Sequence, residues 1–143
     1  MKFKKILLVS LFAAILLTST VSAGLFDMGS DASSERINVT DLNIKSQGYS
    51  MYEVTCNLVP KENFTYLEMQ VNFYDSDNAV IGKDSMVWNI NNPVEGETIK
   101  VSGTAMTDSS STTPARAEVY FYDEPLADTP EDALYHETVN MTN

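Results

Sequence analysis

Leu67-Glu68-Met69-Gln70-Val71-Asn72-Phe73-Tyr74 opens a stretch that continues through Asp75-Ser76-Asp77-Asn78 and on to Ile90. Leu67, Met69, Val71 and Phe73 alternate with Glu68, Gln70, Asn72 and Tyr74. A period of two is the mark of a strand with one buried face. Further on, Val80, Met86, Trp88 and Ile90 fall on one parity, which predicts a second strand with those residues turned inward. The four residues of Asp75–Asn78 have short polar side chains that bond their own backbone and favour a turn. The stretch therefore reads as a long hairpin.

Outward from this hairpin the pattern stays β. Ile37 and Val39, then Leu42 and Ile44, predict a first strand whose phase slips near Thr40-Asp41, where a bulge accounts for the slip. Gln47-Gly48 predicts a turn, and Tyr52, Val54, Cys56 and Leu58 mark the inner face of a second strand. Pro60-Lys61-Glu62-Asn63 and Asn91 to Gly96 are turn clusters. Ile99, Val101, Gly103 and Ala105 alternate with polar residues, and so do Ala115, Ala117, Val119 and Phe121. Pro130 to Leu134 predicts one short helical turn, and Tyr135 to Met141 a last strand. Strands at this spacing predict an all-β, immunoglobulin-like sandwich of about seven strands. Trp88, Phe73, Phe121, Val54, Cys56 and Val101 are expected inside.

The first 23 residues read as a leader, not as part of the fold. Lys2, Lys4 and Lys5 form a basic head, Ile6 to Leu17 is apolar, and Val21-Ser22-Ala23 has the small-x-small form of a cleavage site. The apolar run is short against the roughly 20 residues that span a bilayer. Residues 1–23 are thus a secretory signal peptide, the alternative being a retained anchor. Residues 24–36, dominated by Gly, Ser, Asp and Ala, form a flexible linker, and residues 37–143 the sandwich. Cleavage after Ala23 leaves six basic against 20 acidic residues, a net charge of −14. Such a surface repels nucleic acid and anionic lipid. The expected setting is secreted or at the outer face of the cell envelope, with no membrane insertion once the leader is gone.

Two strand ends share a pentad, Val71-Asn72-Phe73-Tyr74-Asp75 and Val119-Tyr120-Phe121-Tyr122-Asp123. The first continues into Val80-Ile81-Gly82, and Asn92-Pro93-Val94-Glu95-Gly96-Glu97-Thr98 follows downstream. This pattern resembles the FxLYD family of small exported immunoglobulin-like domains. Val71 stands where the family has Phe, and Phe73 where it has Leu; Val94-Glu95 separates Pro93 from Gly96. The resemblance implies the sandwich and supplies no active-site residues.

Chemistry-bearing constellations are sparse. One His and one Cys cannot build a closed zinc site. Asp75-Ser76-Asp77-Asn78 lacks the spacing of a calcium loop, and there is no Gly-x-Ser-x-Gly elbow or phosphate-binding glycine loop. No catalytic residue, cofactor or metal is therefore expected. The reading is a binding or structural module with a protein or glycan partner at the cell surface. The alternative is an enzyme or calcium-dependent protein with an acidic site of no recognisable pattern. Tyr74, Tyr120 and Tyr122 fall on the outward parity and are the candidate binding surface, with a fold-back of Leu134 to Met141 over them as the competing reading. Asn38-Val39-Thr40, Asn63-Phe64-Thr65 and Asn140-Met141-Thr142 fit the glycosylation acceptor Asn-x-Thr, making Asn38, Asn63 and Asn140 candidate glycan sites. The mature chain is predicted to start at Gly24; intact-mass measurement of the exported protein checks this, and a membrane-held species retaining Met1 contradicts it.

Overall fold

In the computed structural model, residues 35–141 are described. The leader and most of the linker lie outside the described residues. Seven strands follow in order: β1 (Ile37–Gly48), β2 (Met51–Pro60), β3 (Tyr66–Tyr74), β4 (Val80–Asn91), β5 (Ile99–Met106), β6 (Arg116–Tyr122) and β7 (Tyr135–Asn140). A single 3-10 turn, Pro130–Asp132, precedes β7. All the strand pairings are antiparallel. They form two sheets, β1-β2-β5 and β4-β3-β6-β7. This is a β-sandwich whose fourth strand sits beside β3 in the second sheet, as an extra edge strand does in immunoglobulin variable-type domains.

The core lies between the inner faces that alternation selects. Tyr52, Val54, Cys56 and Leu58 from β2 meet Leu67, Met69, Val71 and Phe73 from β3 and Ala117, Val119 and Phe121 from β6, all of them buried. Tyr52 tilts against Phe73 at 5.0 Å, and Tyr135 meets Phe121 edge-on at 6.0 Å. Cys56 is part of this core, and burial, with the nearby Glu137 charge, pushes its thiol up to about 12. It stays protonated at neutral pH and packs as a small hydrophobe.

Three local readings shift. The β1 ladder does slip between Thr40 and Asn43, with Asp41 at φ 58° and its carboxylate held by Asn57 Nδ2 at 2.7 Å. The first turn lies two residues later than expected, at Tyr49-Ser50, because β1 continues to Gly48. The β4 phase holds only in part. Val80 and Met86 are exposed, while Trp88 and Ile90 are half-buried against the core, Trp88 meeting Phe121 edge-on at 6.3 Å. The cause is two irregularities in the β3–β4 ladder. Val71 pairs with Asp84 but Met69 with Trp88, so Met86 sits in a bulge at φ 55°; Phe73 pairs with Gly82 but Tyr74 with Val80, which turns Val80 outward.

One side of the sandwich is closed by direct approach of β4 to β5, edge strands of opposite sheets. Asp108 N donates to Ile81 O at 2.8 Å, and Met106 N donates to the Asp84 carboxylate. Two glycines permit this approach. A Cβ on Gly82 would lie 2.7 Å from Met106 O, and one on Gly103 would fall onto the Val87 carbonyl oxygen. Backbone cannot yield as a side-chain tip can. Gly103→Ala is expected to cost about 2 kcal/mol or more of unfolding free energy, whereas Ser102→Ala, exposed on the same strand, stays within about 0.5 kcal/mol. Urea denaturation of both variants checks the contrast.

Candidate functional site

The outer face of the four-stranded sheet gathers most of the polar and aromatic side chains that alternation turns away from the core. Register places Glu68 opposite Tyr122, Gln70 opposite Tyr120, Asn72 opposite Glu118 and Tyr74 opposite Arg116. His136 on β7 lies opposite Tyr120. Three assemblies result.

The first centres on Glu118. Its Oε2 accepts from Tyr74 Oη at 2.8 Å and from Tyr120 Oη at 2.7 Å, and its Oε1 accepts from Arg116. The Arg116 guanidinium also lies 3.7 Å over the Tyr74 ring and reaches Asn78 Oδ1. Burial pushes the Glu118 carboxyl up, but the bonds from Tyr120, Tyr74 and Arg116 outweigh it and hold the group below its ordinary value. The same arrangement raises Tyr120 and Tyr74, through burial first and the Glu118 contact second.

The second is a stack of rings. Tyr120 lies nearly parallel to His136 at 4.5 Å and to Tyr122 at 6.0 Å. Burial raises Tyr122, with further upward contributions from Asp132 and Asp128.

The third is built on Glu68, which is fully buried. Its Oε2 accepts from Tyr66 Oη at 2.6 Å and Leu126 N at 3.2 Å; its Oε1 accepts from Gln70 Nε2 at 2.9 Å and Met86 N at 3.3 Å. Burial, then the bond to Glu68, pushes the Tyr66 phenol up to about 12. Gln70 Nε2 also donates to Ala127 O at 2.6 Å. These bonds pull the segment between β6 and β7 across the outer face as a strap.

Between the strap and β4 lies a groove of about 310 Å³. Tyr74, Tyr120 and Tyr122 all line it, together with Asn72, Lys83 and Asp128. The three tyrosines chosen from parity are thus brought together at one place. Their exposure differs from expectation: Tyr74 is half-buried, and Tyr120 and Tyr122 are 5% and 3% exposed. The strap crosses this face, and β7 pairs beside β6 with His136 stacked on Tyr120, so the competing reading, a fold-back of Leu134 to Met141, accounts for part of the covering. The rings form a packed floor, and the accessible edge of the groove includes Lys83, Asp128 and Leu126, which is 61% exposed.

The other candidates stay apart. Asn38 is half-buried on β1, Asn63 is exposed between β2 and β3, and Asn140 is exposed at the end of β7. Asp75 Oδ1 accepts from Asp77 N at 2.9 Å and Ala79 N at 2.8 Å, which makes it the cap of its turn. Asp123 pairs with Arg36 at 2.8 Å. Among the described residues, no group of three or more His, Cys, Asp or Glu side chains is placed to hold a metal ion. Glu68, Gln70 and Lys83 were not singled out from sequence. Only their parity marks them, and parity gives no sign of a strap.

No protein-family model matches the chain, and neither does any curated protein sequence. Solved structures match part of the chain at low identity and with TM-scores below 0.5. A DUF1425 family member from Shewanella sp. pv-4 is 14% identical, with a TM-score of 0.42, over 64% of this chain and 81% of that one. β-Glucosidase 3B from Thermotoga neapolitana, in complex with α-D-glucose, is 11% identical with a TM-score of 0.46, over 75% of this chain and 16% of that one. The β-glucosidase DesR from Streptomyces venezuelae, in complex with D-glucose, is 12% identical with a TM-score of 0.41, over 73% and 14%. The chain thus corresponds to a small part of each β-glucosidase.

A pH dependence follows from the Glu118 network. A carboxyl held low in the folded state stabilises above its unfolded value and loses that contribution as pH falls through the folded one. The difference in melting temperature between the parent and Glu118→Gln is therefore expected to be full at neutral pH and to shrink below roughly pH 4. Thermal melts from neutral to acid pH measure it.

Proposed function

We propose that this chain is an exported, non-catalytic β-sandwich module that engages a protein or glycan partner through the groove on the outer face of its four-stranded sheet. The convergence of Tyr74, Tyr120 and Tyr122 with Asn72, Lys83 and Asp128 at one groove is the observation that supports it. The phenols of Tyr74 and Tyr120 are committed to Glu118. The floor is therefore held in place before a partner arrives, and little side-chain freedom is lost on binding. Lys83 and Asp128 offer charges of opposite sign at the groove, and Leu126 an exposed apolar contact. A partner with hydrogen-bonding groups along an extended backbone suits this combination. The leader-like first 23 residues support action outside the cytoplasm.

The test leaves the packed rings alone, since removing Tyr120 or Tyr122 opens the stack and confuses loss of binding with loss of fold. Lys83→Glu combined with Asn72→Ala changes the groove without removing the rings. With the mature domain as bait for cell-envelope and culture-medium fractions, the double variant is expected to weaken capture of any specific partner at least tenfold, about 1.4 kcal/mol, with an unchanged circular dichroism spectrum. Equal capture by parent and variant overturns the assignment of the groove.

A further inference from the structure

We propose that Asn63 carries an N-linked glycan on the exported protein. The inference rests on the export part of the proposed function, because the acceptor pattern is used only on chains that leave the cytoplasm.

The structure separates the three Asn-x-Thr triplets. Asn38 is half-buried within the β1 ladder, paired with Val59. Asn140 is the last residue of β7 and is paired with Arg116 in the ladder. Asn63-Phe64-Thr65 belongs to the connection between β2 and β3 and takes no part in a strand ladder. Phe64 is buried there, 7% exposed, with the Arg36 guanidinium 4.9 Å from its ring centre. Its neighbours Asn63 and Thr65 are both exposed. Two backbone bonds hold the segment in this form: Phe64 N to Pro93 O at 3.1 Å and Asn92 N to Thr65 O at 3.0 Å. Asn63 and Thr65 are thus displayed while the residue between them anchors the segment.

The asparagine amide is also oriented. Glu95 N donates to Asn63 Oδ1 at 2.9 Å. A backbone N–H needs an acceptor, so the amide oxygen faces Glu95 and Nδ2 points away from it. Glycosylation uses the nitrogen and leaves the oxygen as an acceptor, so this bond survives the modification. The donor is a sugar activated by phosphate at its anomeric carbon. The bond from that carbon to the phosphate oxygen breaks, and the phosphate leaves with the electron pair. Asn63 Nδ2 forms the new carbon–nitrogen bond and gives one proton to a base on the host transferase.

The experiment uses full-length protein expressed in its native organism. Peptide mass spectrometry reads the Asn63 peptide, and N-terminal analysis of the same sample reads the leader. Sugar on the Asn63 peptide is expected, lost completely in Thr65→Ala and retained in Thr65→Ser. A bare Asn63 peptide on molecules that begin at Gly24 overturns the glycan and leaves export standing. Molecules that retain Met1 inside the cell overturn export and the glycan together.

Discussion

A carboxyl group with no accessible surface sits on the face of the sheet that points away from the core, and the shape of that face depends on it. Burying such a group costs several kcal/mol unless donors replace water. Glu68 has four: a phenol, a side-chain amide and two backbone N–H groups. One backbone donor, Met86 N, belongs to the β4 bulge; the other, Leu126 N, belongs to the strap. A single side chain thus fixes both walls of the groove relative to its floor. It also gives the bulge a reason to exist, since a regular ladder would leave Met86 N engaged with β3 or directed elsewhere.

The floor has a comparable economy. Glu118 binds Tyr74 from β3 and Tyr120 from its own strand, and Arg116 closes over the Tyr74 ring. Cross-strand pairs of this kind are the unit of sheet stabilisation. Here they also remove the rotational freedom of two phenols. Aromatic side chains that would be loose on an open sheet face become part of a rigid surface, and recognition passes to the polar groups around them.

Much of the fold was legible in the sequence because turning one face to the core writes an apolar period of two into β2, β3, β5 and β6. The Thr40-Asp41 slip was legible for the same reason, since a bulge breaks that period visibly. β4 was less so. The extra residues beside Met69 restore the original parity, so Trp88 and Ile90 still fall on the inner face while Met86, on the same count, does not. Nothing in the local composition marks a bulge made without glycine. The candidate site divides in the same way. Parity placed Tyr74, Tyr120 and Tyr122 on one face, and they share one groove. Their burial depends on contacts across dozens of residues, such as Leu126 to Glu68 and Ala127 to Gln70, which no window of sequence contains. The connection from Asp123 to the Pro130 turn becomes a strap because a buried acceptor, Glu68, lies beneath it.

The placement of His136 has a structural consequence. β7 is an edge strand whose ladder partner is β6. His136 rides on β7 and stacks on Tyr120, while Tyr135 of the same strand packs into the core against Phe121, so one edge strand holds an outer-face ring and an interior ring together. The outer face and the interior are therefore joined at the sheet's edge through two adjacent residues of one strand.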